Sequence, residues 1–274
     1  MSITIRRVKF EFPDDLDDVF PGDDVIGECA QVAFSLTMPH LEPYLIRVFR
    51  SVSGSITDPQ LKSDVDAFIG QEAQHHRNHQ RINEIVKARL DPAVAAQLQT
   101  IEDKLEADYR RFSAGKSMRF NLAYAEGFEA MTCAWANDTM NSAGEPGGAP
   151  TRFGVWQQLW AWHAAEEIEH RTVAFDLYDH LCGSYVYRVF GSARAQRHFL
   201  GYISCLQRIL VVSQGLPDRK HPSQLVRTAS YRNTFRPGYN PRNLTISPLV
   251  ELILAGFGQS APGHTSDPAI EPES

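Results

Sequence analysis

Two short stretches carry residues whose types and spacing suit a transition metal. Within residues 159–175, His163, Glu167 and His170 follow one another at steps of four and three. At 100° per residue these side chains fall within about 60° of one another on a helix. They would share one face with Trp160, Trp162, Val173 and Phe175 nearby, where an unpaired charge is costly. Residues 71–79 repeat the arrangement with Glu72, His75 and His79. A carboxylate and an imidazole three residues apart can bind one ion from a single helical face. One such Glu-x-x-His arises easily by chance on a solvated helix. Two of them, each with an extra histidine in phase, point to a metal site.

Two helices of this kind, joined by a single Glu from each of two others, supply the ligands of ferritin-like dimetal carboxylate proteins. The expected set is Glu42, Glu72, His75, Glu129, Glu167 and His170, with His163 as a seventh ligand or a base beside the metals. Glu126, one turn before Glu129, competes for the third-helix role. Glu42 would also suit a helix cap. His79 reads equally as a ligand, as a partner of a ligand, or as an ordinary polar residue. Glu166 and Glu169 are expected to point sideways, into hydrogen bonds behind the ligands or into pairs with Arg171, and His76 to face solvent. Glu166 and His79 are the candidate catalytic groups. Imidazole and carboxylate without thiolate favour iron, or manganese, over structural zinc. The expected cofactor is therefore two metal ions, iron first. Tyr124, Phe128, Trp160 and Trp162 read as core or as the lining of a channel.

The elements that must position these groups are helical. Residues 1–25 alternate weakly at Val8, Phe10 and Phe12 and suggest a short strand or extended arm. Pro39 suits the first turn of a helix whose stripe is Leu41, Leu45, Val48, Phe49 and Val52. Asp58-Pro59 starts a helix of about 30 residues, ~45 Å long at the helical rise, which Asp91-Pro92 ends. Helices are expected over 92–112, 117–141, 151–180 with Thr151 as N-cap, and 186–214, the last ended by Gly215 and Pro217. A short one follows at 248–254. Residues 144–150, rich in Gly and Pro, form a loop. The predicted class is all-α: a ferritin-like four-helix bundle with flanking helices and an irregular C-terminal tail. One domain is expected over 1–260, with 261–274 a disordered tail.

Composition narrows the partners. The chain has 274 residues, 43% hydrophobic, with a net charge of −6 and no Lys/Arg-rich run. That length supports one large core, and the charge argues against a nucleic-acid partner. The start of the chain lacks a signal-like apolar region. The most apolar run, 199–212, is interrupted by Gln207 and Arg208 and too short for a bilayer. Cys29, Cys133, Cys182 and Cys205 form no Cys-x-x-Cys pair and read as reduced, mostly buried thiols. The expectation is a cytoplasmic protein without a membrane span; a homodimer is allowed and not required.

The residues also match known patterns. Phe68-Ile69-x-Gln71-Glu72-x-x-His75-x-x-x-His79, Glu129-Ala130-Met131-Thr132 and Trp160-x-Trp162-His163-x-x-Glu166-Glu167-x-Glu169-His170-x-x-Val173-Ala174-Phe175-Asp176 resemble the bacterial family called predicted metal-dependent hydrolases, over roughly residues 5–255. Where that family's third motif pairs the acid with a histidine, this chain has Ala130. The spacing Glu42, Glu72, His75, Glu129, His163, Glu167, His170 is also similar to that of the di-iron N-oxygenase of p-aminobenzoate, which implies that His163 is a ligand.

The function expected from these residues is a non-haem di-iron oxidase or oxygenase acting on a small organic substrate with O2. A ferredoxin or flavin reductase would then supply electrons. The alternative is hydrolysis at a dinuclear metal site, with His163 or Glu166 carrying protons. Metal storage is a third reading, with less to support it.

Overall fold

Asp-Pro pairs open two of the long helices, as the sequence predicts. Asp58 accepts from the N–H groups of Gln60 and Leu61 at 2.8 and 3.2 Å, with Pro59 as the first helical residue. Asp91 accepts from Ala93 N–H at 2.8 Å ahead of Pro92. Proline costs nothing there, because the first-turn N–H has no helical partner.

The computed structural model describes residues 3–12, 19–142, 154–220 and 227–258. Among them the chain is all-α, with helices α1 (Val25–Val52), α2 (Pro59–Arg89), α3 (Pro92–Gly115), α4 (Met118–Ser142), α5 (Val155–Glu169), α6 (Val173–Leu181), α7 (Tyr185–Ser213), α8 (Ala229–Asn233) and α9 (Leu249–Gly258). No helix of these residues is long and apolar enough to cross a membrane. The loop expected at 144–150, the cap at Thr151 and the tail 261–274 lie outside the described residues. Gly215 ends α7 with φ +76°, a conformation that favours glycine.

The first helix departs from expectation. Pro39 and Pro43 both lie inside α1, which begins at Val25 behind an Asp24 cap. An interior proline removes a backbone donor and costs about 3 kcal/mol or more. The carbonyls deprived of a partner are those of Ser35 and Pro39, four residues back. The first finds one on α2, where Asn83 donates to the Ser35 carbonyl at 2.8 Å. A cross-helix donor thus replaces the missing helical one at Ser35. His76, expected at the surface, is half-buried. Glu42 lies deep in α1, not in a first turn, so a capping role does not explain it.

The helix expected over 151–180 is two. It breaks after Glu169, and α6 begins at Val173. Arg171 covers the break, donating to the carbonyls of Ile168 at 2.8 Å and Pro241 at 3.1 Å. His170 becomes the C-cap residue of α5.

The largest buried apolar cluster draws on α1 to α7, and α9 packs Val250, Ile253 and Leu254 against Ala136, Met140 and Ile168. The small residues of α4 let α7 approach closely: a Cβ added at Gly127 would lie 2.3 Å from Ser192 Cα. Residues 3–12 run as an extended arm with no strand partner. Asn78 holds it by donating to the Val8 carbonyl at 3.0 Å, and Phe10 packs on Trp162 at 5.6 Å between ring centres.

Candidate metal centre

Glu42 comes from α1, Glu72 and His75 from α2, Glu129 from α4, and His163 and Glu167 from α5, with His170 at its cap. None of the seven is more than 3% exposed. Their donor atoms form three overlapping groups, each within 4.8 Å: Glu42 with His75 and His163, Glu72 with His75 and Glu167, and Glu72 with Glu129 and His170. The first and last groups share no residue, so the centre has two ends. Glu167 reaches both: its Oε1 lies 3.2 Å from His163 Nε2, and its Oε2 lies 3.6 Å from His170 Nε2. Glu72 Oε1 is likewise 3.7 Å from His75 Nδ1 and 3.6 Å from His170 Nε2.

Hydrogen bonds behind the centre decide which nitrogen each imidazole presents. Asn83 Nδ2 donates to the Ser35 carbonyl, so its Oδ1 accepts the Ser35 hydroxyl at 2.6 Å. The hydroxyl has one proton, so Ser35 Oγ accepts from His79 Nδ1–H at 2.8 Å. His79 Nε2 must then accept from His163 Nδ1–H at 2.9 Å, which leaves the His163 Nε2 lone pair facing inward. Gln71 Nε2 donates to the Thr4 carbonyl and to Glu169, so its Oε1 accepts from His170 Nδ1–H at 3.0 Å. Glu166 Oε2 accepts from His75 Nε2–H at 3.1 Å. Three imidazoles are thereby locked with one nitrogen aimed at the carboxylates, as buried outer partners of metal-binding histidines do.

The inward atoms lack partners. Both oxygens of Glu42, Glu72 Oε1, His75 Nδ1, Glu129 Oε1, Glu167 Oε2 and His170 Nε2 are buried without a hydrogen bond. Native interiors leave few such atoms, and these seven lie together at one place. Burial and the neighbouring carboxylates push Glu42 and Glu72 well above the usual carboxylate range. Burial and Glu167 push Glu129 up to about 7. Burial opposes ionisation of Glu167 too, but the imidazoles of His170 and His163 overcome it and hold its carboxyl low. Burial, then His163, pushes His75 down. Glu42, Glu72, Glu129 and Glu167 would carry four negative charges when ionised, which two divalent cations beside neutral imidazoles would balance. The donor set fits metal binding.

The remaining candidates stand behind these seven. Both nitrogens of His79 are taken, by Ser35 and His163. Glu166 gives one oxygen to His75 and the other to Arg6 at 3.1 Å. Glu166 and Glu169 are buried and form the hydrogen bonds expected behind the candidate ligands, to His75 and Gln71, but their cationic partner is Arg6 and not Arg171. Glu126 is turned away to Arg188 and Ser192, both at 3.0 Å, whereas Glu129 lies 3.2 Å from His170. Trp160 and Trp162 are buried beside His79 and His75, at 4.9 and 4.8 Å between ring centres. Ser35, Asn83 and Arg6 escaped the sequence reading, and Gln71 stood in a motif without a role. Ser35 precedes Pro39 by four residues, but Arg6 stands 160 residues from Glu166 and left no local signal.

The family described as "Predicted metal-dependent hydrolase" matches residues 4–245. The chain belongs to this family. Its metal dependence agrees with the buried Glu/His groups of this member. Comparison with curated proteins and with solved structures returns no match.

Proposed function

We propose that this family member is a dinuclear metal-dependent hydrolase acting on a small organic molecule. Glu42, His75 and His163 would hold one ion, and Glu129 and His170 the other. Glu72 and Glu167 would supply the remaining donors. The observation that carries the reading is the convergence of unpartnered inward atoms on two linked donor groups, and the family description gives the reaction class. Two divalent cations supply Lewis acidity toward a carbonyl or phosphoryl oxygen and acidify water.

The protein's own groups do the rest. Glu42, with neither oxygen hydrogen-bonded, has a carboxylate oxygen free to take the proton that water loses on attack. His79 and Glu166 would orient ligands instead of carrying protons: the His163–His79–Ser35–Asn83 chain closes on the Ser35 carbonyl, and the two Glu166 oxygens are held by Arg6 and His75. Phe68, at 4.7 Å from the His170 ring, and Trp162 wall the site and exclude water.

A second reading is favoured by the donor set itself. Four carboxylates and three imidazoles without thiolate suit iron or manganese, and an iron pair would support oxidation of a small substrate by O2. That chemistry needs an electron donor such as a ferredoxin or flavin reductase.

Metal analysis of the purified protein tests the site. Anaerobic loading with Zn2+, Mn2+ or Fe2+, followed by ester, amide and phosphate-ester substrates with and without O2, separates the chemistries. Hydrolysis without O2 supports the first reading. Turnover that requires both iron and O2 supports the second. A folded chain that binds none of these metals sinks both.

A further inference from the structure

One arginine reaches the supports of two histidines that come from different helices. Arg6, on the extended arm, donates through one guanidinium nitrogen to Glu166 Oε1 at 3.1 Å and Glu169 Oε2 at 2.7 Å. Its other terminal nitrogen donates to Glu169 Oε1 at 3.0 Å. Glu166 in turn accepts from His75 Nε2. Glu169 accepts from Gln71 Nε2 at 2.6 Å, and Gln71 accepts from His170 Nδ1. The outer nitrogens of His75 and His170 therefore lead, by one and two intermediaries, to the same guanidinium.

The arm is built to bring it there. Thr4 joins through both backbone groups, its carbonyl accepting from Gln71 at 3.0 Å and its N–H reaching Glu169 at 3.4 Å. Gly70 leaves room for Ile5: a Cβ at position 70 would sit 2.4 Å from Ile5 Cδ1. Asn78 and Trp162 fix the arm further along, at Val8 and Phe10. The Arg6 side chain is only 9% exposed, and the two carboxylates it binds are at most 4% exposed. Buried, bidentate guanidinium pairs of this kind fix geometry as well as charge.

We propose that Arg6 is a positioning residue for the metal centre and that residues 3–12 act as a strap, holding His75 of α2 and His170 of α5 in register. The proposal rests on the metal-binding reading above. Without Arg6, Glu166 and Glu169 would be buried beside each other with no cation between them. Glu166 and Glu169 would then lose their anchor, and His75 and Gln71 would lose their fixed partners. The ligands would remain but their orientation would loosen.

The test uses the full chain with Arg6→Gln and Arg6→Lys, measuring Zn2+ and anaerobic Fe2+ affinity by competition with a chelator. The melting temperature and far-ultraviolet circular dichroism of the metal-free proteins monitor folding. Loss of such outer partners typically lowers metal affinity 10–100-fold, and that is the fall expected for Arg6→Gln at unchanged helicity. Arg6→Lys, which keeps the charge but not the fork, should recover part of it and decides the matter if the Gln variant does not fold. Wild-type protein that binds neither metal defeats the site reading itself. Wild-type binding matched within twofold by both variants overturns the strap.

Discussion

The side-chain amide of Asn83 donates at 2.8 Å to the carbonyl of Ser35, the group that Pro39 leaves without a partner four residues further along α1. The same Asn83 accepts the Ser35 hydroxyl, and through it sets the hydrogen-bond direction of His79 and His163. One residue of α2 thus repairs a helix and orients an imidazole of the centre.

Asn83→Ala should destabilise the fold by about 1–3 kcal/mol, because the Ser35 carbonyl is left buried and unpaired. Pro39→Ala restores a helical donor to that carbonyl, so the double variant should regain part of the loss. Urea unfolding of the two single variants and the double, all metal-free, measures the coupling. Additive effects would show that Pro39 and Asn83 are unrelated.

Glu129→Gln and His170→Ala should each lower the metal content of the purified protein, with His170→Ala losing tight binding of at least one ion and with it turnover. Glu126→Gln should leave the content unchanged, since Glu126 faces Arg188 and Ser192. Elemental analysis per chain checks this. Normal content in Glu129→Gln with loss in Glu126→Gln would reverse their roles.

Gly127→Ala should cost about 1–3 kcal/mol, as overpacking does. The added Cβ would meet backbone, Ser192 Cα at 2.3 Å, and backbone cannot rotate aside. Gly201→Ala, where a Cβ meets nothing within 4 Å, is the control and should be neutral or mildly stabilising. Equal stabilities for the two would mean that α4 and α7 are not so closely apposed.

The His198–Asp108 pair makes a pH prediction away from the metals. Burial holds His198 below its usual value, although Asp108 at 3.0 Å works the other way. Hydrogen bonds from His198 and Tyr202 outweigh burial and hold Asp108 below its usual value. The folded His198 binds its proton less readily than the unfolded one, so its contribution is full above pH 6.5 and falls as pH drops below it. Asp108 contributes above pH 3.8 and loses that contribution in more acid solution. His198→Gln should therefore flatten the fall in stability between pH 7 and 5 relative to wild type, as read from urea midpoints. Parallel curves for the two proteins would contradict it.

The candidate donors could be read from the sequence because their spacing is a local property. His163, Glu167 and His170 share a helical face by periodicity alone, and so do Glu72 and His75. The helix starts at Pro59 and Pro92 were equally legible, since a cap acts on its own next few residues. The start of α1 was misplaced because Pro39 normally breaks helices. Its tolerance depends on Asn83, which no local rule brings near. The continuation of α5 through His170 was misjudged for a similar reason, as the Pro241 carbonyl that helps Arg171 cover the break lies far along the chain.

By itself the sequence determined an all-α chain whose helices display Glu and His at metal-binding intervals, because helical periodicity and capping act over a few residues. Only the tertiary structure decided that Glu129 rather than Glu126 meets His170, which nitrogen each histidine turns inward, and that Arg6 lies behind both Glu-x-x-His motifs. Those are matters of which buried polar groups find partners across helices, and that depends on packing between residues distant in the chain.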